Sequence, residues 1–556
     1  MSVPRRQSLI RIAIGCLIVV PLAAGCRRSD RPDPNAAPQP NLVLITIDTQ
    51  RADHLGAYGY ARETSPAFDS LAAAGTLFDQ AIVQWPKTNP SMASMLSSTY
   101  CITNGVRQYG APIDPRLVTL PVIMKEAGYR CASFVANAHL GRFFNFDRGF
   151  DEVYELWSDR EYAHPLGLNR VGAFDNDQIA DLVAAWLAKN KRRTFFLWVH
   201  LLDPHGPYEP PAELKAPYVV DQTHQSQNVP VHPGRVPYYQ RREGPAMLAD
   251  YVARYDGEVR YSDTVIQRVA DELKAHGLID HTLLVITADH GESLGEHDYF
   301  FDHGLFLYQP SVRVPLLFHW PGRIAPGKRI ETPVAMIDLL PTLLELLGID
   351  STPHRAEFQG QSFAAAFRRE GLQERPIFTE GQSGQTSIRL GKWKLIDDPR
   401  PDPKTGNVRL QLYDLDADPG ETENLSEQLP EIRDDLHAQL RQWHDRMMET
   451  LGRYEPQRVA PALLSPEMQE LFRRRGWLAE GPRTTGSPEQ GVKRLTPEQQ
   501  EAVRIMMKQL RDLGYMEDLP ENEAGARQEP SKPDPLLNMS LPDSQPAGAT
   551  PDPAPD

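Results

Sequence analysis

The stretch Asn41–Ile47 (NLVLITI), followed at once by Asp48, decides the fold class of this chain. This seven-residue run is short, largely apolar and mostly β-branched, and it therefore predicts a strand that is buried in a sheet. The strand ends at a carboxylate. Because the carboxyl ends of parallel strands open onto the crevice where α/β sheets bind ligands, Asp48 is a candidate site residue.

The same pattern recurs along the next three hundred residues. Buried-type strands are predicted at 131–136, 194–199, 283–287 and 315–319, with a strand-like run at 76–83. Helical patterns are predicted at 65–75, 119–128, 175–190, 246–276 and 332–349. This alternation predicts an α/β fold with a mainly parallel sheet sandwiched by helices. Polar residues again follow the strands, among them Asn137, His139, His200, Asp203, His205, Asp289 and His290.

The segment 87–94 (KTNPSMAS) predicts a turn that enters a helix. Pro90 suits the first helical position and Asn89 a helix N-cap. The hydroxyl of Thr88 is then expected just outside the helix N-terminus, where the dipole favours an anion. A hydroxyl there is a candidate nucleophile for a phosphate or sulfate centre. The alternative is a capping turn without chemistry.

The pattern changes after residue 385. Short antiparallel strands at 387–389, 392–396 and 410–413, with a helix at 429–448, predict a smaller α+β unit over 386–450. A helical extension is expected over 451–518, and the Pro-rich, acidic residues 519–556 are expected to be disordered.

Composition limits the function classes. The chain has 556 residues, 40% of them hydrophobic, and a formal net charge of −15. The acidic balance argues against a nucleic-acid groove, and no internal apolar run is long enough to span a bilayer.

The N-terminus predicts an exported lipoprotein of the cell envelope, held on the periplasmic side of the membrane by a lipid anchor. Residues 1–26 combine basic residues, a short apolar core and the sequence LAAGC, in which Cys26 would be lipidated. An uncleaved anchor helix is the alternative. The polar, Pro-rich residues 27–40 suit a linker. In an oxidising compartment Cys101 and Cys131 could pair.

Four residues suit one divalent cation: Asp48, Thr88, Asp289 and His290. Two carboxylates, an imidazole and a hydroxyl are ligands for such an ion. Contact with the ion would lower the pKa of the Thr88 hydroxyl, which is otherwise a poor nucleophile.

Several motifs in order resemble the sulfatase family of the alkaline-phosphatase superfamily. They are found at 44–59 (LITIDTQRADHLGAYG), 88–91 (TNPS), 199–211 (VHLLDPHGPYEPP), 287–297 (TADHGESLGEH), 302–308, 314–322, 337–348 (IDLLPTLLELLG) and 412–425 (LYDLDADPGETENL). The resemblance covers roughly residues 41–445. It implies a catalytic domain over 41–385, a smaller C-terminal domain, and one divalent metal. Calcium is the ion the family implies, with manganese, magnesium or zinc as alternatives.

The resemblance also implies residue roles. Asp48, Asp289 and His290 fall on metal-ligand positions, and Thr88 on the position of the nucleophile. The positions that contact the anion or protonate the leaving group are occupied by Asn137, His139, His205 and His303.

The departures from the family pattern matter for the chemistry. Thr88 stands where the family has the Cys or Ser that becomes formylglycine, so no formylglycine is expected. Met92 replaces an Arg, Thr49 replaces the second Asp of a metal pair, and Asn137 and His303 each replace a Lys. Histidines are then expected to neutralise the substrate, which suits an ester of low charge.

The set Asp, Thr, Asp, His resembles superfamily phosphodiesterases and phosphoglycerol transferases that use Thr directly. Asp203, His205 and His303 also resemble the second-metal ligands of related diesterases, although the spacing differs. Glu292 is expected to hold His297 or a ligand imidazole, and His54 and His200 to be structural or rim residues.

The favoured hypothesis is a metal-dependent hydrolase that cleaves sulfate or phosphate esters, small or polymer-borne, through Thr88. The alternatives are a phosphodiesterase or phosphoglycerol-type transferase acting on envelope lipids or polymers, and a non-catalytic binding protein.

Overall fold

The structure is a computed structural model that describes residues 39–107, 111–157, 175–219, 229–244, 246–368, 371–382, 384–400 and 408–454. The predicted signal peptide with Cys26, most of the linker, the extension from residue 455 onward and the C-terminal tail lie outside these ranges. Within the described ranges, no helix is both long enough and apolar enough to cross a bilayer.

Fifteen strands are described in chain order. They are β1 (Asn41–Ile47), β2 (Thr76–Ile82), β3 (Arg130–Val135), β4 (Glu152–Glu155), β5 (Phe195–Leu201), β6 (Thr282–Ala288), β7 (Ser293–Leu294), β8 (Phe300–Asp302), β9 (Arg313–His319), β10 (Lys328–Ile330), β11 (Val334–Ala335), β12 (Ile377–Glu380), β13 (Thr386–Leu390), β14 (Trp393–Asp397) and β15 (Leu410–Asp414).

The α-helices of the same ranges are interspersed with short 3₁₀ turns. They are α1 (Pro66–Ala74), α2 (Thr88–Ser97), α3 (Cys101–Asn104), α4 (Leu120–Glu126), α5 (Asn176–Asn190), α6 (Ala212–Lys215), α7 (Leu248–Ala275), α8 (Gln309–Val312), α9 (Leu339–Leu347) and α10 (Pro430–Met448).

The large sheet has nine strands in the order β10-β2-β9-β6-β1-β5-β3-β4, with β11 beside β2. Its pairs are parallel except those of β9, which runs antiparallel to both β6 and β2. The prediction of a mainly parallel sheet is therefore confirmed. The sequence pattern showed the strand at 315–319 but not its reversed direction, because direction depends on the path of the connection.

Helices cover both faces of this sheet because its central strands are apolar on both sides. In β1, Leu42 and Leu44 belong to one buried cluster, which includes Met95 of α2. Val43 and Ile45 belong to the other cluster, which includes residues of α5 and α7 such as Val183. The two layers of helices leave the carboxyl ends of the strands as the edge where polar residues gather.

The C-terminal unit is an antiparallel sheet in the order β12-β13-β14-β15, with α10 against it. Trp443 of α10 stacks on Phe378 of β12, with 4.6 Å between ring centroids. The first strand of this sheet begins at Ile377, before residue 386, where the sequence pattern changes. A buried lysine, Lys394, joins the unit to the large domain by donating to Glu421 Oε1 and to the carbonyl oxygen of Leu307, each at 2.6 Å.

The two cysteines that the sequence left as a candidate pair are both free and buried. The sulfur of Cys101 lies 3.2 Å from Ser94 Oγ, and that of Cys131 lies 3.9 Å from the carbonyl oxygen of Pro121. They pack in different places, so the fold described here contains no Cys101–Cys131 bond.

Candidate active site

Two neighbouring strands bring the predicted carboxylates together. β1 and β6 are parallel, and Ile47 pairs in register with Ala288. The residues that follow, Asp48 and Asp289, therefore leave the sheet side by side, and both are fully buried. This is the outcome expected for the carboxyl edge of a parallel sheet.

The helix α2 brings Thr88 to the same place. Its hydroxyl oxygen lies 3.3 Å from His290 Nε2. Ser91, one turn further along, fastens the helix because its hydroxyl donates to the carbonyl oxygen of Asp289 at 2.5 Å. The nucleophile candidate is thus held directly against the loop that follows β6.

The predicted N-cap of this helix is wrong. The cap is Lys87, in an extended conformation and without a side-chain capping bond, so Thr88 is the first helical residue. Asn89 lies inside the helix, and its amide donates instead to the carbonyl oxygen of Ala111 at 3.0 Å. Pro90 is tolerated because the first turn of a helix has N–H groups without helical partners. Thr88 still lies at the positive end of the helix dipole.

Asp48, Asp289 and His290 form a ligand set that fits a divalent cation. One ligand atom from each lies within 4.8 Å of the others, and no other group of three or more His, Cys, Asp or Glu side chains in the described residues meets this arrangement. Buried oxygens Asp48 Oδ1 and Asp289 Oδ2 have no hydrogen-bond partner. Buried polar atoms are normally satisfied, so two such oxygens facing one imidazole are the expected signature of an ion site.

The imidazole is oriented for the same role. His290 Nδ1 lies 2.9 Å from the carbonyl oxygen of Gly291, which can only accept, so Nδ1 carries the proton. The lone pair of Nε2 then points toward the two carboxylates, at 3.7 Å from Asp48 Oδ1 and 3.6 Å from Asp289 Oδ2. A backbone partner that fixes the tautomer is typical of a metal-ligating histidine.

Without a cation, the pKa values of the two buried carboxyl groups shift in opposite directions. Burial and the charge of Asp48 raise the pKa of Asp289 well above its usual range. Burial alone would raise the pKa of Asp48 too, but the neighbouring imidazoles, of which His205 acts most strongly, hold it below its usual range. Burial lowers the pKa of His290 to about 4. Close like charges of this kind are stabilised by a bound cation.

Residues behind Asp48 hold it in place. The amide of Asn137 donates to Asp48 Oδ2 at 2.7 Å, and its own oxygen accepts from the backbone N–H of His139. His200 lies within β5, one residue before the strand's end, and its Nε2 is 3.5 Å from Asp48 Oδ2. Asn137, predicted at an anion-binding position, thus contacts a candidate ligand carboxylate directly.

Thr49 shows what replaces the family's second carboxylate. Its backbone is in the left-handed region, with φ 56°, which is rare for a β-branched residue. This conformation turns its N–H toward Asp289 Oδ1, at 3.2 Å. The position therefore supplies a backbone donor where the family supplies a further negative charge.

Three further histidines surround the candidate ion site. The ring of His303 lies 4.3 Å from that of His290 and 5.2 Å from that of His205, between centroids. Burial lowers the pKa of His139, His205 and His303. All eight predicted site residues are at most 2% exposed, and they lie at the start of α2 and on the segments that follow the strand ends.

Glu292 contacts a different residue from those expected. Its Oε1 lies 3.0 Å from His303 Nδ1, and its Oε2 accepts from the hydroxyl of Tyr208 at 3.0 Å. His297 instead stacks on Tyr308, with 3.5 Å between ring centroids. Glu292 thus orients a predicted substrate-binding histidine.

The candidate second-metal set is not brought together. His205 and His303 are neighbours, with 5.2 Å between ring centroids, but the ligand atoms of Asp203, His205 and His303 do not all lie within 4.8 Å of one another. His54 is also outside the site, as expected, because its Nδ1 lies 2.7 Å from Asp256 Oδ1.

Sequence reasoning missed Lys87 as a site residue. It directly precedes Thr88, and its side chain runs alongside Gly304, the residue after His303. After burial, its positive charge is the next cause that lowers the pKa of His139 and of His303. The available signal was its position directly before the nucleophile candidate.

Comparison with known proteins identifies the family. A family model described as "Sulfatase" matches residues 40–349, more than half of the chain, and one described as "N-sulphoglucosamine sulphohydrolase, C-terminal" matches residues 295–446. N-acetylgalactosamine-6-sulfatase of Canis lupus familiaris is 26% identical over 428 residues, covering 68% of this chain and 74% of the relative. Arylsulfatase K of Rattus norvegicus is 24% identical over 488 residues, covering 78% and 83%.

Solved structures share the fold. A protein in complex with its substrate D-glucosamine-2-N,6-O-disulfate superimposes with a TM-score of 0.60 at 19% identity, covering 74% of this chain and 99% of that one. The phosphonate monoester hydrolase of Agrobacterium radiobacter gives a TM-score of 0.57 at 20% identity, covering 73% and 96%. With the family model spanning the whole large sheet and its site, the chain belongs to the sulfatase family of ester hydrolases.

Proposed function

We propose that this chain is a metal-dependent hydrolase of sulfate or phosphate esters in which Thr88 is the nucleophile. One observation carries the proposal: the Thr88 hydroxyl, at the N-terminus of α2, lies 3.3 Å from Nε2 of His290, which forms the candidate ligand set with Asp48 and Asp289. A capping turn without chemistry would not require two buried carboxylate oxygens without partners beside it.

Each site residue has a separate role in the proposed reaction. Asp48, Asp289 and His290 would hold the divalent cation, which when bound lowers the pKa of a nearby hydroxyl and withdraws charge from the ester. Thr88 Oγ attacks sulfur or phosphorus, and a neutral imidazole of the site, His205 or His303, takes the hydroxyl proton. The bond to the leaving oxygen breaks, and that oxygen gains the proton from the imidazolium. Water then attacks the Thr88 ester in line, so that its oxygen stays on sulfur or phosphorus, one of its protons restores the Thr88 hydroxyl, and the other is released.

The use of Thr88 favours phosphate over sulfate in the second step. Formylglycine can release sulfate by re-forming its aldehyde, whereas a threonine ester must be cleaved by water at sulfur or phosphorus. Phosphothreonine tolerates that attack better than sulfothreonine. We therefore expect measurable turnover of phosphate esters alongside sulfate esters.

The test is a panel of matched sulfate and phosphate mono- and diesters of one alcohol, with metal content measured on the same samples. Sulfated amino sugars belong in the panel because a relative is named N-acetylgalactosamine-6-sulfatase. Thr88→Ala should lose at least about 10³-fold in kcat, as expected when a covalent route is removed, while Thr88→Ser retains turnover.

Thr342→Ala is the matched control for this panel. Thr342 is equally buried, but its hydroxyl donates to the carbonyl oxygen of Asp338 in another part of the fold. It should leave kcat unchanged. Equal activity of Thr88→Ala and wild type would overturn the assignment of the nucleophile.

We also propose that the enzyme is a lipoprotein of the cell envelope, anchored through Cys26. The support is the LAAGC sequence at 22–26, after basic and apolar segments. In cells, Cys26→Ser should abolish incorporation of a labelled fatty acid and release the protein from membranes. Unchanged labelling of the variant would refute the anchor.

A further inference from the structure

We propose that Lys87 is the cation that binds the anionic oxygens of the ester. The inference rests on the proposed function for its substrate, but its test includes anion binding that does not require turnover.

The backbone places Lys87 directly before Thr88, the candidate nucleophile. Lys87 is the N-cap of α2, and its carbonyl oxygen accepts from the N–H of Ser91 at 2.9 Å. Its Cα is therefore fixed one residue from the candidate nucleophile, Thr88. An anion held against Thr88 would also face the N–H groups of the first helical turn, so a cation here acts in the same direction as the helix dipole.

Gly304 forms a cradle for the lysine stem. A Cβ at position 304 would lie 2.6 Å from Lys87 Cε, 2.9 Å from Cγ and 3.0 Å from Cδ, and the first two distances are shorter than real Cβ atoms show. The backbone of Gly304 is also in the left-handed region, with φ +92°, which favours glycine. The stem is thus held along three of its carbons beside His303, rather than extended freely into solvent.

The ammonium charge also acts on site histidines. After burial, it is the next cause of the lowered pKa of His139 and of His303, beside which the lysine stem packs. Such a fixed charge stabilises negative charge that develops on an ester, at no cost of reorganisation.

The experiment compares full-length wild type with Lys87→Gln, Lys87→Arg and Gly304→Ala. Lys87→Gln should lower kcat/KM for a sulfate monoester about 10²-fold, the usual loss when one preorganised oxyanion donor is removed. Lys87→Arg keeps the charge and should recover part of that loss. The kcat/KM of Gly304→Ala should lie between those of wild type and Lys87→Gln, because the added methyl group displaces the lysine stem. Lys274→Gln is the control, since Lys274 is exposed and lies 3.7 Å from Asp271.

Two further readouts separate this inference from the role of Thr88. Metal content should be equal in wild type and Lys87→Gln, and inorganic phosphate should bind the metal-loaded Lys87→Gln protein about tenfold more weakly. Lys274→Gln should bind phosphate as wild type does. If no ester is turned over, the proposed function fails, and phosphate binding alone then decides the role of Lys87. Equal phosphate affinity in wild type and Lys87→Gln, or no binding to either, overturns the inference.

Discussion

Replacing Asn137 by alanine should weaken metal binding without removing any metal ligand. The amide of Asn137 donates to Asp48 Oδ2 at 2.7 Å, and both side chains are fully buried. A hydrogen bond to a charged group contributes about 1.5–3 kcal/mol. Since 1.4 kcal/mol is a factor of ten, the expected loss in metal affinity is about 10–100-fold, the range found when partners of metal ligands are removed. His200, 3.5 Å from the same oxygen, would keep the loss from being larger.

The assay is competition between the full-length protein and a chelator of known affinity, followed by kcat/KM at saturating metal. Asn89→Ala is the matched control, because Asn89 is equally buried but donates to the carbonyl oxygen of Ala111. It should change metal affinity less than about twofold. If Asn137→Ala binds metal as tightly as this control and shows only a raised KM, then Asn137 acts on the substrate and the reasoning is refuted.

Two predictions concern the attachment of the C-terminal unit. Burial raises the pKa of Glu380 to about 7 from 4.5, so the folded state holds this proton to higher pH and wild-type stability falls between those values. The free energy of unfolding of Glu380→Gln, measured in urea, should therefore rise relative to that of wild type by roughly 3 kcal/mol between pH 4.5 and pH 7. A difference between the two proteins that does not change with pH would contradict this prediction. Lys394→Met should cost about 3–5 kcal/mol because it leaves Glu421 buried without its partner at 2.6 Å. The double variant Lys394→Met with Glu421→Gln should recover most of the melting temperature that Lys394→Met alone loses. No recovery would show that the two residues are not coupled.

Much of the fold could be predicted because its signals are local. The strands β1, β5 and β6 are continuous apolar runs, and each was predicted within two residues of its observed bounds. The helix α5 begins with a capping box formed by Asp175 and Gln178, at the residue where a helix was expected. The reversed direction of β9 and the pairing of β12 with β13 depend on the path of the chain, which no local pattern contains.

The site residues could be predicted where a polar side chain directly follows a predicted strand. Asp48 and Asp289 come together because β1 and β6 are neighbours, and Asn137 because β3 lies next to β5 on the same edge. What the sequence could not supply were the partners of these residues. Glu292 contacts His303 across eleven positions, and Lys87 packs on Gly304. Both contacts depend on the loops after β6, whose conformation is set by tertiary packing.

The proposed mechanism requires that the Thr88 oxygen forms a covalent ester during turnover. The most direct measurement is rapid acid quench of the metal-loaded enzyme during hydrolysis of an activated ester, with peptide mass spectrometry of the segment 87–94. We expect a sulfuryl or phosphoryl group on Thr88 in wild type and none on the corresponding peptide of Thr88→Ala. Burst kinetics with an unmodified Thr88, or modification of another residue that survives in Thr88→Ala, would contradict it.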